Sequence, residues 1–194
     1  MIERPKLTLP GAEAAAVAAA YAAASVILEY GSGGSTVLAA EMPGKTVFSV
    51  ESDAGWLGMM RGWFADHPPL SDVHLHHGDI GPTGKWGKPL DESAMRRWPD
   101  YALGVWDLPT FRHPDVVLVD GRFRPACLLA TLFRISRPVT VLFDDYEGRD
   151  TYRAVEDVVR PTAFHGRMAQ FDLEPSVIPA ERLAWVIRQF LRPL

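Results

Sequence analysis

Short apolar runs alternating with helix-forming stretches constrain this chain more than any other feature. Strand-like segments fall at Ser25–Tyr30, Thr46–Glu51, Val73–His77, Asp115–Asp120 and Val139–Phe143. Between them, Ser35–Glu41, Asp53–Asp66, Phe123–Phe133 and Asp150–Val159 read as helices. The first, second, fourth and fifth strands are rich in Val, Leu, Ile or Phe, as strands covered on both faces are. Regular strand–helix alternation predicts an α/β domain with a mostly parallel, doubly wound, Rossmann-like sheet. Two further strand-like segments, near Thr162–His165 and Met168–Leu173, are joined by Gly166-Arg167 and read as a hairpin. An amphipathic helix over roughly Ala180–Leu191 closes the chain.

The start of the chain is apolar without being a membrane segment. Ala12 to Ala24 is nearly all alanine, interrupted by Glu13 and Tyr21, and runs into Val26-Ile27-Leu28. Alanine is weakly hydrophobic and the strongest helix former, so this stretch predicts a helix rather than a signal peptide or a span of ~20 strongly apolar residues. The expected location is cytoplasmic, with no membrane partner. Cys127 is the only cysteine, which forbids an internal disulfide and agrees with a reducing compartment. At 194 residues, with 47% hydrophobic and 23% charged residues, the chain suits one domain over 1–194. A formal net charge of −4 argues against a dedicated nucleic-acid binder, which needs a basic face.

The strongest motif is Glu29-Tyr30-Gly31-Ser32-Gly33-Gly34-Ser35-Thr36, which leaves the first strand and enters a helix. Gly31 and Gly33 permit a tight turn and close approach of backbone to a ligand, and Ser35 or Thr36 can cap the helix. Glu51 ends the second strand, where a carboxylate can bind both hydroxyls of a ribose; Ser52 and Asp53 follow it. Strand, glycine turn, helix, strand and acid in this order describe a site for an adenosine-containing ligand. A dinucleotide site wants a third glycine where this chain has Thr36, and Glu29 repels phosphates while it suits a ligand with a cationic amino-acid end. Asp79, just after the third strand, is either an acceptor for an adenine amino group or an ordinary turn residue.

On these residues the chain resembles the class I S-adenosylmethionine-dependent methyltransferases, from about Ser25 to Leu173. The resemblance implies that the turn at Gly31, Ser32 and Gly33 approaches the methionine part, that Glu51 binds ribose and that Asp79 meets adenine. It also implies a seven-stranded sheet with an antiparallel last strand, which the hairpin fits.

Two acidic constellations follow, Asp120-Gly121-Arg122-Phe123-Arg124 after the fourth strand and Asp144-Asp145-Tyr146 after the fifth. Three carboxylates facing one crevice repel one another unless a cation or a proton intervenes. One reading is a hard divalent ion such as Mg²⁺ held by Asp120, Asp144 and Asp145, and the arrangement resembles that of metal-dependent O-methyltransferases, with Asp145 where their Asn stands. The other is neutralisation by Arg122, Arg124 and Arg149, with one of the acids serving as a general base; arginines so placed also suit an anionic substrate. His113 and His165 are further candidate bases, whereas His74 and His76 share one strand face and suit a structural role.

Residues 81–114 break the rhythm, with several Gly and Pro and three Trp (Trp86, Trp98, Trp106) but no period. Such a segment predicts a lid or insertion near the ligand mouth, with Trp86 and Trp56 as ligand-flanking candidates, or a self-association surface. Trp63 and Trp185, at helical spacing, suit core packing. The expected activity is methyl transfer from S-adenosylmethionine to an oxygen of a small molecule. The rivals are a nicotinamide-dependent oxidoreductase and a non-catalytic nucleoside-binding protein.

Overall fold

The structure is a computed structural model and describes residues 2–194. Its strands are β1 (Val26–Tyr30), β2 (Thr46–Glu51), β3 (Asp72–His77), β4 (Val116–Val119), β5 (Val139–Phe143), β6 (Ala163–His165) and β7 (Met168–Leu173). They lie side by side in the order β3-β2-β1-β4-β5-β7-β6. The first five run parallel, and β7 is antiparallel to both β5 and β6. The strand order reverses between β1 and β4, and a crevice opens at such a switch point at the carboxyl ends of the strands.

The helices are α1 (Gly11–Ala23), α2 (Gly34–Glu41), α3 (Ala54–Asp66), α4 (Trp98–Leu103), α5 (Arg124–Arg134), α6 (Asp150–Arg153) and α7 (Leu183–Gln189). Side-chain alternation sorts β1 between two cores. Val26, Leu28 and Tyr30 join the larger core with α4 and α5, and Ile27 joins Val17 and Tyr21 of α1 on the opposite face. Glu29 therefore lies under α1. The β1–β4 register is fixed by Asp115, whose carboxylate accepts the backbone N–H groups of Ser25 at 2.8 Å and Val26 at 2.9 Å.

Three expected elements differ in the structure. The helix expected over Asp150–Val159 is α only to Arg153 and tightens into a 3-10 turn at Ala154–Asp157. The closing helix likewise begins with a 3-10 turn, Ala180–Arg182. The third difference is larger: the second half of 81–114 is the crossover between β3 and β4 and not a lid. Its 3-10 turn Met95–Arg97, α4 and 3-10 turn Gly104–Asp107 bury Trp98, Tyr101, Ala102, Val105 and Trp106 in the larger core. Pro99 sits in the first turn of α4, where a missing N–H costs no hydrogen bond, and Gly104 ends α4 and opens the 3-10 turn, so no helical period survives. Trp98 donates to the carbonyl of Ile80 at 3.1 Å and Trp106 to the hydroxyl of Tyr30 at 2.8 Å. No helix among the described residues is long and apolar enough to cross a membrane.

Candidate active site

A cleft of about 960 Å³ opens at the carboxyl ends of β1, β2, β4 and β5, at the upper end of the ~300–1,000 Å³ typical of small-molecule sites. Its floor is two glycine turns in contact. Gly31 has φ +105°, and a Cβ there would stand 2.8 Å from the backbone nitrogen of Gly121, so the turns after β1 and β4 meet backbone to backbone. Gly121 in turn leaves room for the hydroxyl of Tyr101. Thr36 Oγ1 accepts the N–H of Gly33 at 2.9 Å and fixes the entry to α2. Ser32 is tied through its hydroxyl to Ser49 at 2.7 Å.

Glu51 joins the turns after β1 and β2. Its Oε1 accepts the backbone N–H groups of Ser52 at 2.7 Å and Asp53 at 2.9 Å, and its Oε2 accepts that of Ser32 at 3.2 Å. Burial raises the pKa of this carboxyl, while the three amides pull the other way. With about four lone-pair sites on a carboxylate, Oε2 keeps acceptor capacity for a ligand hydroxyl in the cleft. Asp53 caps α3 by accepting from Trp56 at 2.8 Å, and the Trp56 ring donates to the carbonyl of Ser32 at 2.8 Å. Trp86 is 75% exposed at the mouth and holds a left-handed backbone with φ 65°. The carbonyl of the adjacent Gly87 accepts from the Ser52 hydroxyl at 3.0 Å.

Two predicted ligand-facing acids lie elsewhere. Glu29 is fully buried below the cleft floor, where the Tyr21 hydroxyl donates to it at 2.7 Å and its other oxygen has no hydrogen-bond partner among the described residues. Burial raises its pKa. Asp79 is not among the residues that line the cleft; its carboxylate accepts from the Gly81 N–H at 2.9 Å and pairs with Arg97. The candidate bases His113 and His165 are also remote. His113 bonds Pro114 and Ser136 at the amino ends of β4 and β5, and His165 bonds Gln170 within the outer hairpin. His74 is stacked on Phe48, a packing role.

Asp120, Asp144 and Asp145 do converge on the cleft, and arginines converge with them. Arg124, only 5% exposed, reaches Asp120 at 3.1 Å and Asp145 at 3.5 Å and donates to the backbone carbonyls of Asp120, Gly121 and Asp144. Arg167 pairs with Asp144 at 3.0 Å and Asp145 at 2.9 Å, and Arg149 with Asp145 at 3.0 Å. Phe123 and Asp145 carry left-handed backbones, φ 51° and 56°, at the corners after β4 and β5. Burial pushes the Asp120 carboxyl up to about 7, Arg124 opposes that, and Asp144 and Asp145 reinforce it.

The expected Mg²⁺ ligand set is corrected by this geometry. Each of the three carboxylates already has a guanidinium within 3.5 Å, and Arg124 bridges Asp120 and Asp145. No group of three or more His, Cys, Asp or Glu among the described residues is arranged to hold a metal ion. Paired in this way, the three carboxylates are not open to a hard divalent cation.

Sequence reasoning missed two parts of the cleft. Residues Ile2 to Leu9 run along it as a strap, and Gly34 must be glycine because a Cβ there would strike the backbone of Lys6 and Leu7. Arg4 anchors the strap to Glu41 at 2.8 Å. Nothing in the strap's composition signals this path. Arg167 was legible in principle, because a hairpin that returns antiparallel to β5 must turn at the carboxyl end of β5.

This architecture is shared with a solved structure at substantial sequence identity. A methyltransferase-like protein from Silicibacter pomeroyi is 54% identical, with a TM-score of 0.94 over 98% of this chain and 99% of that one. The chain belongs to the class I S-adenosylmethionine-dependent methyltransferases. At fold level alone, the chain is also similar to the O-methyltransferase TomG of Streptomyces achromogenes, solved with S-adenosylmethionine (16% identity, TM-score 0.55, 88% and 82% of the two chains). A putative rRNA methylase from Clostridium thermocellum shares the fold as well (10% identity, TM-score 0.52, 88% and 100%). No family model and no curated protein matches the chain.

Proposed function

We propose that this methyltransferase binds S-adenosylmethionine along the Gly31–Gly33 turn and Glu51, and methylates an oxygen of a small molecule with Asp120 as general base. The observation that carries the reading is the Asp120 carboxyl, in the cleft beside the Gly121 turn of its floor and raised to about 7. The residues present fit the cofactor: the backbone of the Gly31–Gly33 turn and of Gly121 lines the cleft floor, and Glu51 Oε2 offers an acceptor beside Ser32, Ser52 and Trp86.

When bound, S-adenosylmethionine supplies a methyl group on a sulfonium, electrophilic enough that the protein's work is placement and proton removal. Asp120 accepts the hydroxyl proton as the acceptor oxygen forms its new bond, and a base with a pKa near neutral suits that task. Arg124 and Arg167 hold Asp144 and Asp145 in place, and Arg124, 3.1 Å from Asp120, favours the ionised carboxylate that can take the proton. Residues 82–90, with Trp86, form a rim at the cleft mouth and screen the interior from water.

Calorimetric titration of the apo protein with S-adenosylmethionine, S-adenosylhomocysteine and NAD⁺, repeated on Glu51→Ala, tests the cofactor. The sulfur ligands should bind and weaken about tenfold or more in the variant, as loss of a charged hydrogen bond implies. Binding of NAD⁺ alone overturns the reading. Release of S-adenosylhomocysteine with hydroxylated acceptors, but not with amines or RNA, tests the oxygen specificity.

A further inference from the structure

At the acceptor end of the cleft four guanidinium groups, those of Arg122, Arg124, Arg149 and Arg167, face three carboxylates, those of Asp120, Asp144 and Asp145. The excess is positive by one charge when all three acids are ionised. It grows to two when Asp120 holds a proton. Three of the arginines are committed: Arg124, Arg149 and Arg167 each pair with at least one of the acids. Arg124 is further consumed by three backbone carbonyls.

Arg122 is the exception. Among the described residues its side chain makes no ion pair and no hydrogen bond within the distances that define one, and its Nε is buried without a partner. The charged and titratable groups that face it are Arg124, Tyr101, Tyr152 and Asp120. Burial and Arg124 depress its pKa, yet a guanidinium starts so high that it keeps its charge. The enclosed Nε is closed to a ligand, but the terminal nitrogens have no partner among the described residues and Arg122 lines the cleft, and an anionic oxygen group fits such a guanidinium end best. Tyr152 belongs to α6, after β5, so Arg122 faces the β5 side of the cleft.

We infer that Arg122 binds an anionic group of the methyl acceptor, a carboxylate or a phosphate, and so makes the substrate a hydroxylated acid. The inference rests on the methyltransferase reading above. Asp120 and Arg122 are two residues apart, so their Cα atoms lie within ~7 Å of one another. A compact acceptor can therefore place its anion on Arg122 and its hydroxyl on Asp120 together. Arg122 is a binding residue here, and Asp120 takes the proton.

Benzoate, phenyl phosphate and neutral benzamide, none of which can be methylated on a hydroxyl, are the probes. Each is titrated calorimetrically into the whole protein, with and without saturating S-adenosylhomocysteine. At least one anion should bind about tenfold or more tightly than benzamide, as a charge-assisted bond implies, and the better of the two anions identifies the headgroup. Arg122→Gln should erase that preference and Arg122→Lys should keep part of it, with S-adenosylhomocysteine affinity within twofold of wild type in both. Equal binding of all three probes, no saturable binding of either anion, or a preference that survives in Arg122→Gln overturns the inference. So does a large loss of S-adenosylhomocysteine affinity in Arg122→Gln, which would give Arg122 to the cofactor's own carboxylate. Failure of the wild type to bind the sulfur ligands would instead overturn the function proposed above, and the titrations without them would still decide the role of Arg122.

Discussion

Glu13 Oε1 of α1 accepts the backbone N–H of Arg167 at 2.9 Å across 154 residues of chain. The carboxylate is buried against the β6–β7 turn, and Gly166, with φ +59°, has no Cβ because Glu13 occupies that space. An element at the start of the chain thus holds the turn whose arginine pairs with Asp144 and Asp145. Glu13→Ala should lower stability by about 1 kcal/mol or somewhat more, since the amide loses its acceptor. Glu13→Gln keeps an acceptor and should restore most of it. Urea midpoints of both variants check this, and equal midpoints for Ala and Gln would deny the hydrogen bond its role.

Asp120 links activity and stability with opposite signs. Its folded pKa of about 7 lies above the ordinary carboxyl range, so between pH ~4 and ~7 the folded chain holds a proton that the unfolded chain has released. That contribution to stability is full below the ordinary value and is lost as pH rises through about 7. Asp120→Asn cannot ionise, so its melting temperature relative to wild type should climb from pH 4 to pH 7 and then level. Over the same range wild-type kcat/KM should rise to a plateau above about 7, and the variant should lose at least tenfold in kcat without that limb. Parallel pH profiles for the two proteins would remove Asp120 as the base.

The strands and the turn at Gly31 were legible in the sequence because a buried parallel sheet needs apolar runs and a turn with φ +105° against another backbone needs glycine. Glu51 was legible for the same reason, as an acid at a fixed place after β2. The partners of the acids were only half legible. Proximity in sequence pointed to Arg122, Arg124 and Arg149, but Arg167 comes from the distant hairpin, and only the arrangement in space shows that Arg122 is the one without a carboxylate. Glu29 was misread because its charge suggested a ligand, while strand alternation puts it on the α1 face. The crossover through α4 was hidden by Pro99 and Gly104, and the strap by having no regular structure at all.

The acceptor end should work without a divalent ion. Arg124 and Arg167 already satisfy the carboxylates that a cation would need, and Arg124 is locked by three backbone carbonyls. Turnover should be unchanged by EDTA and by added Mg²⁺. A saturable heat on Mg²⁺ titration that vanishes in Asp144→Asn would show that the arginines yield to a metal.

The strap gives Gly34 an inverted preference. In an exposed helix interior Gly→Ala stabilises by about 1 kcal/mol. At Gly34 the new methyl would meet the backbone of Lys6 and Leu7, so the strap must lift from the cleft. Gly34→Ala should bind S-adenosylhomocysteine more weakly and should be cut faster near its amino terminus by a protease. A chain lacking residues 1–9 should show the same affinity loss. If both variants bind as tightly as wild type, the strap is a bystander.

Trp86 separates strain from function. A bulky residue at φ 65° costs about 1–2 kcal/mol, and strain of this kind persists where the site has a use for it. Its ring is three-quarters exposed, so packing against the core does not repay that cost. Trp86→Gly should relax the backbone and leave the melting temperature unchanged or slightly raised, while affinity for S-adenosylhomocysteine falls severalfold. Trp86→Ala should weaken binding similarly without the relief, since alanine keeps the strained Cβ. The pair is decisive because a structural role for the ring predicts that stability falls in both variants, whereas a role at the mouth of the cleft moves affinity and leaves stability where the backbone alone puts it.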